Sequence, residues 1–530
     1  MRLNLGEIAS SIGCRSDRVI WQPGLAGDAP SGRFSEEPQG ILSLRDLTDL
    51  RSHGSWDGNF ESQPWALTMP TGAQFDSREV QSGNLFFCLP GERTDGHEFG
   101  LEAAFAGASA IIASRNPYFG REDEVRYAQT GLPPVFIVED VQKTLWRVAT
   151  CHRDTSVARV IGVTGSAGKT SVKEVLAQVM AVRGFTQCSR KNFNNQLGLP
   201  ICMLNAHADA SFWVMEAGIS QSHDMEELGS ILQPDVALIL NVGQAHVAGL
   251  SEKGVAANKA VLLDYVQPAG VAVVSADYPD LNAEIDRRLS DLERRSIQLV
   301  RFSARDADVA FRARYIGSGY DLMGKYEVTM QGGTIVVEAP FRGDYGSENV
   351  AAICAVAHTL GLRHEEILRG LACSVCPEQR FSGSREGACI LIDDSYNANP
   401  LSMSRMLDAA ATLAREKDMP LLLVLGEMLE LGDESGDAHR SVGLAAAAVA
   451  PSVVFWKGEQ GEQVRLGLGE GGYTGPFYPV SGGQDFSLLL EEIRPESGVI
   501  LFKGSRGNHL ERLVEVFREY ILSAGDSHAV

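Results

Sequence analysis

The stretch Ile161-Gly-Val-Thr-Gly-Ser-Ala-Gly-Lys-Thr-Ser171 decides how the rest of the chain is read. An apolar run, Val160 to Val163, leads into it, and an amphipathic helical pattern, Val172 to Val182, leads out. Strand, glycine-rich loop and helix N-terminus make an anion cradle, because unpaired backbone N–H groups and the positive end of the helix dipole face the loop. Gly165, Ser166, Ala167, Gly168 and Ser171 supply the wrapping backbone. Lys169 can reach the outer phosphates of a nucleotide, and the Thr170 hydroxyl can hold Mg2+. The spacing is a variant of the usual P-loop, since Val163 stands where the strict pattern has its first glycine. The stretch predicts a triphosphate-binding loop in an α/β protein; a glycine turn without a ligand is the alternative.

At 530 residues the chain exceeds what one core can serve, and roughly 100–200 residues per domain gives an expectation of three. A net charge of −21 without a basic block argues against nucleic acid as the main partner. An anionic substrate must therefore be met by local Lys and Arg. Nine cysteines at irregular spacing fit a reducing cytoplasm, and Cys373-x-x-Cys376 has no second pair with which to hold zinc. The opening residues lack the apolar core of a signal peptide, and no run is long enough to span a membrane.

Along the chain, residues 1–156 read as a small N-terminal α/β domain whose first 40–60 residues are an unplaced extension, Gln22 to Gly40 being linker-like. Residues 157–376 form the central block, with strands at Val160–Val163, Phe212–Met215, Val236–Leu240 and Val271–Val274 in a mostly parallel sheet. Alternation from Tyr326 onward reads as a hairpin turning at Gly332-Gly333, and a helix is expected from Asn349 to Leu360. Residues 377–530 are α/β again, with strands at Cys389–Ile392, Leu421–Leu425, Val453–Trp456 and Val499–Phe502.

Polar residues cluster where these strands end. Glu216 closes one apolar run, at the edge where open α/β sheets bind ligands, and is a hard oxygen donor for Mg2+. His246 follows the next strand. Asn194 and Asn195 sit in a polar loop that suits phosphates or substrate, or equally a plain surface. Lys259 reads, from its surroundings alone, as a solvated helix lysine. Asp393-Asp-Ser-Tyr-Asn-Ala-Asn-Pro400 follows a strand, and Arg380 upstream carries a planar fork of donors suited to phosphate.

In their order along the chain, these motifs resemble the Mur ligases of peptidoglycan synthesis. Asp394-Ser-Tyr-Asn-Ala-Asn-Pro400, and Leu425-Gly-Glu-Met-Leu-Glu-Leu-Gly432 with His439, resemble the branch that adds D-alanyl-D-alanine. The resemblance implies a UDP-sugar domain, a central ATPase and a C-terminal Rossmann-like domain. It implies that ATP phosphorylates the carboxylate of a UDP-MurNAc-tripeptide and that the dipeptide amine then displaces phosphate. Lys169 would hold phosphates, with Thr170 and Glu216 on one Mg2+ and His246 on a second. Lys259 takes the place of a carbamylated lysine, Arg380 meets the γ-phosphate, Asn349 lies beside adenine and Asp394 by the ribose. Asp76, Ser77 and Arg78 would hold the uridine nucleotide, and Tyr396, Asn397 and Asn399 the other substrates. Glu348 departs from the family's histidine before that asparagine, and Ala352 from a second asparagine. A monomer is expected. Two other readings stay open: a related ligase, muramyl-peptide or folylpolyglutamate, and a regulatory subunit that binds nucleotide without turnover.

Overall fold

The short β-rich runs and the helical patterns between them build three sheets in the computed structural model. It describes residues 1–12, 19–20, 65–91, 94–118, 132–190, 192–243, 254–305 and 308–527. The chain divides into two compact units, one of residues 1–158 and 196–210, the other of residues 159–195 and 211–530.

The first unit holds a five-stranded sheet in the order Val19–Ile20, Val135–Ile137, Ala110–Ala113, Asn84–Phe87, Gly72–Gln74, parallel except at the first pair. Its helix Val141–Thr155 starts at Asp140, whose carboxylate caps Lys143 N, and packs on the helix Gly198–Leu204. The Gly198-Leu-Pro200 stretch forms the first turn of that helix. Proline is tolerated there because the first-turn amides have no intrahelical acceptor. Asn205 pins the return segment: its Nδ2 donates to Ala73 O at 2.8 Å, and its Oδ1 accepts from Ala73 N at 3.2 Å.

The second unit carries two sheets. Nine strands run Gly333–Ala339, Gly324–Met330, Phe311–Ser318, Gln298–Ser303, Val271–Ser275, Val236–Ile239, Arg159–Thr164, Phe212–Glu216, Thr186–Cys188. The last seven are parallel, and the first two extend the sheet as an antiparallel hairpin. That hairpin pairs Met330 with Gly333, so its turn is Gln331-Gly332, one residue earlier than the glycine pair suggests. The helix Gly343–Thr359 begins six residues before the expected Asn349. Two glycines in its first turn weaken the local helical signal, but Gly346 lets the helix approach the Tyr326 ring, whose hydroxyl would lie 2.1 Å from a Cβ there. From Gly346 to Ala357 every residue is buried, as befits a helix that is apolar nearly all round.

The third sheet runs Ser382–Glu386, Cys389–Asp394, Gly498–Lys503, Leu421–Gly426, Val453–Lys457, Phe477–Pro479, parallel after an antiparallel edge strand. Beside it the helices Ser435–Ala448 and Gly461–Glu470 cross glycine to backbone. A Cβ at Gly467 would lie 1.9 Å from Arg440 O, and one at Gly443 2.1 Å from Val464 O. Gly467→Ala should therefore lose about 1–3 kcal/mol to overpacking, although alanine favours an isolated helix by about 1 kcal/mol. A thermal midpoint equal to that of the parent chain would show that the helices part cheaply.

Candidate active site

Strand Arg159–Thr164 has Phe212–Glu216 on one side and Val236–Ile239 on the other. The chain leaves it in one direction and later returns in the other, a topological switch point of the kind that binds ligands. The glycine loop lies there. Gly168 has φ +79°, a left-handed conformation that suits glycine, and the helix Lys169–Ala181 starts without a side-chain cap. First-turn N–H groups are thus left for a ligand. Two loop amides are already engaged: Ser166 N and Ala167 N donate to Asn241 Oδ1 at 3.0 and 2.8 Å. The fully buried Asn241 also donates to Ala167 O and Glu348 Oε2, both at 3.0 Å.

Parallel register places Glu216 beside Val163. Its Oε2 accepts from Thr170 Oγ1 at 2.7 Å, its Oε1 from Asn194 Nδ2 at 2.8 Å. Asn195 follows in the same loop. Lys169 Nζ donates to Gly165 O at 2.8 Å. Its pKa is lowered by burial, with Glu216 opposing and Arg380 adding to the shift. Lys259, on the helix Gly254–Ala260, is 4% exposed. Burial, and then the charge of Lys169, push its pKa well below the ordinary lysine value while Glu216 opposes. The solvated reading of Lys259 from its surroundings alone, which the family resemblance reverses, does not hold; the helix turns that residue inward. Asn349 is fully buried beside Gly168, and neither its amide nitrogen nor its oxygen has a partner among the described residues. His246 lies outside the described residues.

The third sheet supplies the facing wall. Asp394 ends its strand in register with Lys503, so Lys503 Nζ reaches Asp394 Oδ2 at 2.6 Å and Asn397 O at 3.1 Å. Phe381 N donates to Asp394 Oδ1 at 3.0 Å. Arg380 lines the cleft and lays its guanidinium 4.1 Å from the Tyr396 ring centroid. Asn399 caps the helix Pro400–Glu416 and donates from Nδ2 to Ser166 O at 3.2 Å, tying the two walls together. His439 accepts from Met428 N at Nε2 (2.9 Å) and reaches Ser435 O from Nδ1 (2.6 Å). A neutral ring with the proton on Nδ1 satisfies both bonds, and burial lowers its pKa accordingly.

Arg405 does not stand out in the sequence, and Lys503 does so only as part of the strand-end stretch Phe502-Lys-Gly-Ser-Arg-Gly507. Lys503 lies inside a strand-end motif rich in other polar groups, and Arg405 has the surroundings of any helix arginine. Both line the cleft. In the first unit, Asp76 accepts from Arg78 N at 3.0 Å and pairs with Arg78 Nη2 at 2.6 Å. The Arg78 hydrogen bond holds the Asp76 carboxyl below its ordinary pKa. Ser77 opens the 3-10 turn between them.

What the cleft can hold follows from its donors. Thr170 and Glu216 are hard oxygens in contact, and no cluster of three His, Cys, Asp or Glu side chains suited to a metal occurs among the described residues. That sparse set fits Mg2+, which takes one or two carboxylates and completes its shell with phosphate and water. Lys169, Arg380 and Lys503 stand around the loop, as triphosphate charge requires.

Known proteins match all three parts of this layout. Residues 71–144 match the Mur ligase family catalytic domain, 163–357 the Mur ligase middle domain, and 379–506 the Mur ligase glutamate ligase domain. The UDP-N-acetylmuramoyl-tripeptide–D-alanyl-D-alanine ligase of Escherichia coli K12 is 31% identical over 483 residues, covering 90% of this chain and 98% of its own. Its Mycobacterium leprae counterpart is 30% identical, covering 84% and 92%. Among solved structures, MurF from Acinetobacter baumannii has TM-score 0.70 at 26% identity, covering 84% of this chain and 93% of that one. The MurF ligase of Thermotoga maritima in complex with ADP has TM-score 0.70 at 26% identity, covering 86% and 98%. With the phosphate loop, the switch-point cleft and these likenesses spanning most of its length, the chain belongs to the Mur ligase family.

Proposed function

We infer that the chain is an ATP-dependent ligase that joins D-alanyl-D-alanine to UDP-N-acetylmuramoyl-tripeptide, giving the pentapeptide precursor of peptidoglycan. The observation that carries this reading is the Thr170–Glu216 contact at the foot of an uncapped helix, with Lys169 and Arg380 beside it. The full-length likeness to relatives named for this reaction supports it.

In the reaction, a carboxylate oxygen of the tripeptide attacks the γ-phosphorus and the bond to ADP breaks. The dipeptide nitrogen then attacks the acyl carbon, phosphate leaves, and the amine proton passes to solvent or phosphate. The protein's work is positioning and charge neutralisation. Lys169 and Arg380 face the phosphoryl group, and the first-turn amides hold it. Thr170 and Glu216 would hold Mg2+, with His246 on a second ion; when bound, the metal neutralises phosphate charge. Asn349 offers a free donor and acceptor to the adenine edge, and Asp394 lies on the ribose side. The neutral amine is the form that adds carbon dioxide, and burial shifts Lys259 towards that form; carbamylation would give it an anionic oxygen pair. Asn194, Asn195, Tyr396, Asn397 and Asn399 belong to the substrate side, and Asp76, Ser77 and Arg78 to the uridine nucleotide.

The same reading divides the chain at 156 and 376 into UDP-substrate, ATPase and Rossmann-like parts of a cytoplasmic monomer. No helix among the described residues is long and apolar enough to cross a membrane. Phosphate release from ATP and Mg2+ should require both UDP-MurNAc-tripeptide and D-alanyl-D-alanine, with a product of pentapeptide mass. Release with a single amino acid in place of the dipeptide would move the chain to a neighbouring ligation. ATP binding without any turnover would overturn the ligase reading.

A further inference from the structure

Two arginines share one aromatic ring at the mouth of the cleft. The guanidinium carbon of Arg380 lies 4.1 Å from the Tyr396 centroid and that of Arg506 lies 4.9 Å from it. Neither has a carboxylate partner among the described residues, although the chain carries 68 acidic side chains against 47 basic ones. Two unpaired cations held together await an anion. They are not equivalent, however. Arg380 lines the phosphate cleft and Arg506 does not.

Arg506 is exposed, but its backbone is braced. It opens a 3-10 turn after the strand Gly498–Lys503. The preceding Ser505 Oγ accepts from Leu429 N at 3.0 Å, and Asn508 Nδ2 donates to Ser505 O at 2.8 Å and Glu427 O at 2.7 Å. Beside it stands Leu429, 46% exposed, whose Cδ1 would lie 2.7 Å from a Cβ at Gly507. A planar guanidinium with an exposed apolar side chain next to it suits a ligand that ends in a small apolar residue with a free carboxylate.

We propose that Arg506 receives the C-terminal carboxylate of the incoming dipeptide, with Leu429 against its terminal methyl, while Arg380 serves the phosphates. This rests on the ligase reading above. The two guanidinium carbons are no more than about 9 Å apart, a gap that an extended dipeptide of about 7 Å can bridge with its terminal hydrogen bonds. A dipeptide anchored at Arg506 can therefore present its amine to a carbonyl next to the group that Arg380 holds. Tyr396, stacked on both, keeps the two sites in register.

The test compares D-alanyl-D-alanine with D-alanyl-D-alaninamide, which lacks the negative charge, in the full-length enzyme. The unmutated chain should prefer the acid at least ten-fold in kcat/KM. Arg506→Gln should raise the KM for the acid at least ten-fold, leave the KM values for ATP and the UDP-tripeptide within two-fold, and abolish the preference. Arg506→Lys should restore part of it. Equal use of acid and amide by the unmutated chain overturns the inference while leaving the ligase reading intact, as does an Arg506→Gln enzyme that keeps the parental ratio. An unmutated chain that makes no pentapeptide removes the ligase reading, and this inference with it.

Discussion

Lys169→Ala should slow ATP-dependent phosphate release by about 10³-fold, the scale set by removing a principal charge from a phosphoryl-transfer or oxyanion site. The same variant should unfold at a temperature no lower than the parent chain. Both halves follow from where the lysine sits. Its pKa is held below the ordinary 10.5, burial being the largest cause and Arg380 a further one. The unfolded chain therefore binds that proton more readily than the folded one between the two pKa values. Below its folded-state pKa the lysine's charge costs folding free energy in full, and the cost fades as pH rises towards the ordinary lysine range. Removing the amine removes the cost together with the catalysis. Calorimetry in the absence of nucleotide and a phosphate-release assay, run on the same preparation, check the pair. An enzyme that keeps a tenth of its rate would remove Lys169 from the phosphates, and a midpoint several degrees lower would show that its bond to Gly165 O matters more to the fold than its charge.

Glu348→Ala should destabilise the second unit by about 3–5 kcal/mol, because it strands a buried cation. Arg405 Nη2 donates to Glu348 Oε2 at 2.8 Å and to the Tyr278 hydroxyl at 2.6 Å, with 15% and 4% of the two charged side chains exposed. Arg405 comes from the helix Pro400–Glu416 and Glu348 from the helix Gly343–Thr359, so the pair joins the third sheet's layer to the central one. Removing both charges together, Glu348→Leu with Arg405→Met, should recover much of that loss, since two desolvated ions gain little over two apolar groups of similar size, but about 1–3 kcal/mol should remain because the buried Asn241 amide loses an acceptor. Chemical denaturation of the two single variants and the double variant gives the coupling directly. A loss below about 1 kcal/mol for Glu348→Ala would mean that water reaches the pair. Asn241 ties the same carboxylate to the glycine loop, so the single variant should also weaken ATP binding.

The parts of the site that were legible in the sequence are those set by short-range chemistry. Glycine at 168 and lysine at 169 need only a preceding strand and a following helix to make a phosphate loop, and all three are contiguous. Glu216 could be placed because a strand end is a place on the sheet, and register then sets it beside Val163. Lys259 is placed only by the family resemblance and not by its own surroundings, for the opposite reason. Its neighbours along the helix say nothing about what covers it, and burial is a property of the tertiary fold. The roles of Arg405 and Lys503 escaped similarly, as they depend on partners 57 and 109 residues away in sequence. The helix at Gly343 started early because packing against Tyr326 outweighed weak local propensity.

The return of residues 196–210 to the first unit sets an order in time. The Trp146 indole N–H donates to Gln196 O at 2.7 Å, His152 Nε2 lies 2.9 Å from Ala206 O, and Val157 N donates to Ala208 O at 3.1 Å. None of these partners exists when the ribosome has just finished residue 158. At about 5–20 residues per second, several seconds of synthesis separate the two halves of that unit. During this interval the glycine loop and its helix are made, while the first unit waits, with its helix Val141–Thr155 uncovered on one side, for a segment encoded beyond them. A fragment ending at residue 158 inherits that waiting state permanently. The unit is closed by its last-made piece, and a chaperone has its best opportunity to bind just before that piece arrives.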